Sequence, residues 1–155
     1  MLTTDDRDFA ANDEGETPGA RSCRLDAHAR RYGDALKEFD KMLIGVSADE
    51  RPALEARRTE IAAQASLFDK LIAAVNSGAF GAHPVDMGAG VKATLVKATS
   101  EAIEIAFKDV EGKGGTSAKK WHQVSGQDML GYFSVLDLTT DDRLSLAAFC
   151  YSNGL

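Results

Sequence analysis

Leu25, Ala29, Tyr32, Leu36, Phe39 and Leu43 follow one another at steps of four and three. No other feature constrains the fold as strongly. That period is close to the seven-residue repeat of a coiled coil, and it draws one apolar stripe along one helix face. Such a stripe has to be buried, so it predicts one long helix from about Leu25 to Gly45, where a C-cap glycine belongs. The turn from Val46 to Pro52 offers Ser47 or Asp49 as the next cap, and Asp49 is favoured because it leaves Pro52 in the tolerated first turn. A second stripe follows in Leu54, Ile61, Ala65, Phe68, Ile72 and Val75, closed by Asn76-Ser77-Gly78. Arg58 fills the one gap, its stem along the seam and its head in water. Two long helices with a short connection predict an antiparallel hairpin over residues 21–78.

The flanks read differently. Residues 1–20 hold many acids, Gly15, Pro18 and Gly19, with Phe9 as the only large anchor, and are expected to be a disordered acidic tail. Residues 79–90, with Gly81, Pro84, Gly88 and Gly90, predict a Gly-rich linker between two halves. In residues 91–155 a β-hairpin is expected first, from the alternation of Val91, Ala93 and Leu95 and of Ile103, Ile105 and Phe107 about Thr99-Ser100. A single helix through Leu95, Ala98, Ala102 and Ala106 is the rival reading, and β-branched content favours the hairpin. Glu111 to Ser117 reads as a Gly-rich loop. Ser125 then caps a helix with Asp128 at the capping-box position and Val124 stapling to Met129. Thr139 caps a last helix, with Asp141 and Asp142 near its positive end and Gly154 as its C-cap. The fold class is therefore α+β and mostly α: a long helical hairpin, a β-hairpin and two short C-terminal helices.

Composition removes several function classes. Of 24 acids and 18 bases, six acids and Arg7 lie in residues 1–19, leaving 18 acids against 17 bases in the rest. A body without basic excess lacks the footprint of a nucleic-acid binder. No apolar run approaches about 18 residues, so no membrane span is expected. The acidic start does not read as a signal peptide, and a cytoplasmic location is the default. Cys23 and Cys150 stand far apart and read as reduced thiols rather than as a disulfide framework.

The candidate chemistries dissolve on inspection. Gly88-Ala89-Gly90-Val91-Lys92-Ala93 fits the glycine pattern of a dinucleotide loop, but what precedes it is a loop with Pro84 and not a buried strand. Gly112-Lys113-Gly114-Gly115-Thr116-Ser117 lacks the lysine before Ser or Thr that a phosphate cradle needs. His28, His83 and His122 have no metal-ligand spacing. Neither Cys150 with His122 nor Cys23 with His28 has a marked third group to orient it. No catalytic residue, cofactor or metal is expected.

What is left is the last helix. Leu146-Ala147, Cys150 and Gly154 fall at a spacing that resembles the first helix of a tetratricopeptide-like unit. With Ile103-Glu104-Ile105-Ala106-Phe107, Trp121 and Leu144 to Leu155, the second half resembles the C-terminal accessory modules of large multidomain bacterial proteins. That resemblance implies an interaction or spacer role without catalysis, and it makes a fragment of a larger protein an expectation. The last helix lacks a following helix to cover it. Leu144, Ala147, Phe149, Cys150, Tyr151 and Leu155 are accordingly the candidate contacts for a protein partner or for self-association. The alternative is a ligand site in the 78–90 and 111–121 loops.

Overall fold

A computed structural model describes residues 17–86, 91–108 and 111–155. The expected tail over 1–16 and the glycines at 88 and 90 lie outside the described residues. Pro18–Ala20 are helical rather than part of a tail. Thr17 starts the first helix, α1 (Pro18–His28), by accepting the Ala20 N–H at 3.3 Å, with Pro18 at the position where its missing N–H costs nothing.

The first stripe folds as two helices, not one. Arg30 sits at φ +61°, and behind it the Arg30 N–H donates to the Ala27 carbonyl and the Arg31 N–H to the Asp26 carbonyl. This is a Schellman ending with an arginine where glycine is usual. The second helix, α2 (Tyr32–Gly45), then packs on α1 and, as the first arm of the helical hairpin, on α3 (Arg51–Asn76). Gly45 is the last helical residue and Val46 the extended cap, so no left-handed glycine ends α2. Neither Ser47 nor Asp49 caps α3; Glu50 holds that position without a side-chain bond, and the Ser47 hydroxyl donates to its carboxylate at 2.6 Å. The head of Arg58 is not left to water alone, since it donates to Asp40 of α2 at 2.7 Å.

Helix α3 is the axis of the molecule, meeting α2, the sheet and the last helix. Its buried face adds Gln64, Leu67 and Leu71 to the expected stripe. After a 3-10 turn at Ala79–Ala82 come β1 (Val85–Asp86), β2 (Lys92–Ala98), β3 (Ala102–Lys108) and β4 (Gly114–Lys120). They form an antiparallel sheet in the order β1-β2-β3-β4. The expected hairpin is β2–β3, with Leu95 opposite Ile105. A bulge between Leu95 and Lys97 breaks the alternation and turns Ala98 inward beside Ala93 and Leu95. The Asn76 amide donates to the Ala98 carbonyl and accepts the Ala98 N–H, both at 2.9 Å, which pins the end of α3 to β2.

The presumed loop at 111–117 is largely the edge strand β4. Gly115 lies opposite Phe107, and a Cβ on it would stand 2.9 Å from that ring. Helices α4 (Gly126–Phe133) and α5 (Thr140–Ser152) follow, each capped as expected: Ser125 accepts the Asp128 N–H at 3.0 Å, and Thr139 and Asp142 form a reciprocal box. Gly154 at φ +66° closes α5, with the Leu155 N–H donating to the Cys150 carbonyl at 3.0 Å. The core runs through edge-on aromatic pairs, Tyr32–Phe68, Phe68–Trp121, Phe80–Tyr132 and Phe133–Phe149.

Candidate functional site

Two places have a claim: the outer face of α5 and a cavity under its C-terminal end. On α5 the structure separates the sequence-derived contact residues. Leu144, Ala147 and Tyr151 stand on one exposed face, at 67% and 90% exposure for Leu144 and Tyr151. Phe149 lies on the opposite face and is a core residue, 1% exposed against Phe133, so it is not available as a contact. The helical period explains the division: positions 144, 147 and 151 share a face that 149 does not. Cys150 is half-buried against the core. Leu155 folds its side chain over Gly126 at the start of α4, where a Cβ would meet it at 3.1 Å.

The cavity, about 300 Å³ in volume, lies between α1, α3 and the end of α5, with Phe39 of α2 in its floor. Cys23 and Ile61 complete the apolar base, and Arg24, Arg57, Tyr151 and Asn153 stand in the wall. Among the described residues that line it, none is an aspartate or glutamate. Gln64 also lines it, 5% exposed, and its Nε2 has no hydrogen-bond partner. An orphaned buried amide of this kind costs roughly 1–3 kcal/mol.

The wall is held from behind by Arg30. Its Nη1 donates to the His28 carbonyl at 2.6 Å and its Nη2 to Asn153 Oδ1 at 3.5 Å, while the guanidinium lies 5.9 Å from the Phe149 ring centre. Asn153 Nδ2 in turn donates to the Phe149 carbonyl at 2.8 Å. Arg30 is buried, its Nε lacks a partner, and no carboxylate among the described residues bonds it. Burial lowers its pKa, and the same surroundings push the Tyr32 hydroxyl up to about 12.

Among the described residues, the loops expected as an alternative ligand site come together in an open saucer on the outer side of the sheet, lined by Pro84 and by Gly114–Thr116. None of the residues lining that saucer is buried. Trp121 is not there at all: it is 1% exposed in the core, its indole Nε1 donating to the Thr99 carbonyl at 2.8 Å. Cys23 and His28 share the α1 cavity, where the Cys23 thiol donates to the Ala35 carbonyl at 3.6 Å. Among the described residues no group of three His, Cys, Asp or Glu side chains is placed to hold a metal ion. None of the described helices is long and apolar enough to cross a membrane.

Gln64 and Arg30 are the site residues that sequence reasoning missed. Gln64 breaks the apolar character of its own face between Ile61 and Leu67, which is the signal that was there to find. Comparison with family models, with characterised proteins and with solved structures finds no match to the chain.

Proposed function

We propose that the chain is a non-catalytic interaction module, working in the cytoplasm, which docks a short apolar segment of another protein on the outer face of α5. The observation that carries this is the stripe of Leu144, Ala147 and Tyr151, exposed at intervals of one turn. Large apolar side chains at i, i+3 and i+7 are the anchors by which a helix face meets an amphipathic partner. The stripe spans only two turns, too little for the roughly 800 Å² per partner of a stable dimer, and fits a transient contact with a short motif. A resemblance to accessory modules implies the same non-catalytic role. Cys23 and Cys150, which are not joined in a disulfide, suit a reducing compartment.

The test is site-specific photocrosslinking in the native cell, with the reactive group at position 144 or 151 and a control at Ile44, which is 86% exposed on α2. One recurrent partner captured from 144 and 151 but not from 44, and lost in a Leu144→Asp background, is the expected result. Identical products from all three positions, or adducts between copies of this chain alone, would overturn it.

A further inference from the structure

The cavity between α1, α3 and the end of α5 is apolar at its base and lies beside the point where the described chain begins. Cys23, Phe39 and Ile61 are 2%, 4% and 3% exposed, yet they border about 300 Å³ of space. Packed interiors leave few voids larger than a water molecule, and roughly 150 Å³ is enough to hold a benzene ring. The cavity therefore has room for an aromatic side chain with part of its backbone. Ala20 and Ala27 give its α1 side small side chains. Ala20 stands three residues past Thr17, which caps the start of α1. With 11 residues α1 is about 16 Å long, so all of that wall lies within about 16 Å of the helix start.

Upstream, residues 1–16 hold six acids, Arg7 and one aromatic residue, Phe9. The eight steps of chain from Phe9 to Thr17 span up to about 26 Å, enough for the ring to reach any part of the α1 wall. A ring on so short a tether meets the cavity at an effective concentration in the millimolar range, so even a weak apolar site is filled by it. The acids on either side of Phe9 meet no carboxylate among the described lining residues to repel them.

We propose that Phe9 of the same chain fills this cavity, its ring against Phe39 and Ile61, and so ties the acidic N-terminal segment back onto α1 and α3. The site is separate from the docking face of α5 and shares only Tyr151 with it.

The test uses the full chain, with NOEs read from the Phe9 ring to the Ile61 and Leu54 methyls. Those NOEs are expected within one molecule and not between labelled and unlabelled copies in a mixed sample. Leu144→Asp should leave them unchanged, so failure of the docking face and failure of this site are read separately. Phe9→Ala should lower the Tm by about 3–6 °C, and Phe9→Leu should restore at least half of that. Leu2→Ala, which also removes an apolar side chain from the segment, should leave the Tm unchanged. N-acetyl-phenylalaninamide at millimolar concentration should shift the Ile61 and Leu54 methyls of Phe9→Ala and leave those of the parent in place. The proposal fails if no NOE joins Phe9 to those methyls, or if the NOEs arise only between copies. It fails equally if Phe9→Ala melts with the parent, if Leu2→Ala lowers the Tm as much, or if the amide shifts parent and Phe9→Ala alike.

Discussion

Arg30 decides where the first helix stops. A left-handed residue with a Cβ costs roughly 1–2 kcal/mol relative to its right-handed form, which is why the C′ position of a Schellman ending is usually glycine. At Gly78 and Gly154 the chain follows that rule, with φ of +82° and +66°. At Arg30 it does not. What offsets the strain is the side chain, whose head ties the end of α1 to the end of α5 through His28 and Asn153. Backbone and side-chain contributions can be separated by comparing two substitutions that both delete the head. Arg30→Gly should be more stable than Arg30→Ala by about 1 kcal/mol in urea unfolding, since only glycine relaxes at positive φ. Equal stabilities would mean that no left-handed hinge exists there. The same residue explains why two helices read as one in the sequence. The apolar steps run unbroken from Ala29 to Tyr32, and the stop signal expected between them, a glycine, is replaced by a residue that ordinarily favours helix.

Elements were readable wherever local chemistry and tertiary demand agree. The α3 stripe, the β2–β3 alternation and the caps at Ser125 and Thr139 each follow from the residues alone. β4 was not readable, because Gly114-Gly115-Thr116-Ser117 has the composition of a turn. It is a strand because Phe107 reaches across from β3 and covers the ground that a side chain at 115 would occupy. The need for glycine is a property of the pair of strands and is invisible in either one. Glycines in this chain therefore divide by surroundings. A Cβ on Gly114 would stand 2.9 Å from the Phe107 carbonyl oxygen, whereas one on Gly131, inside α4, meets nothing within 4 Å. Gly114→Ala should destabilise the fold by about 1–3 kcal/mol through forced backbone movement. Gly131→Ala should stabilise it by roughly 0.5–1 kcal/mol through helix propensity. Thermal unfolding of the two variants checks both signs. The cavity was out of reach for a related reason, since Gln64 becomes a site residue only when α1 and the end of α5 close over it.

At the scale of the molecule, α3 and α5 are joined by one charged contact between residues 72 positions apart in sequence. Lys70 donates to Asp142, 6% exposed, whose other oxygen accepts from the Thr139 hydroxyl at 2.8 Å and the Thr139 N–H at 2.9 Å. One carboxylate thus caps α5 and holds it to the central helix. These bonds to Lys70 first, and to Thr139 next, bring the Asp142 pKa down to about 2. In the unfolded chain an aspartate titrates near about 3.9. A group whose pKa is lowered by folding adds stability that is complete above its unfolded value and is lost as pH falls toward its folded value. The contribution of Asp142 should therefore be constant at neutral pH, begin to decline below about pH 5, and be mostly lost as pH falls to about 2. Asp142→Asn isolates it, because every other carboxylate titrates alike in both proteins. The gap in urea midpoint between parent and variant should be widest at pH 7 and close between pH 4 and 2. A gap that stays the same across that range would mean the carboxylate's charge does not hold α5 in place, and that its hydrogen bonds to Thr139, which an amide oxygen can also accept, carry the contact instead.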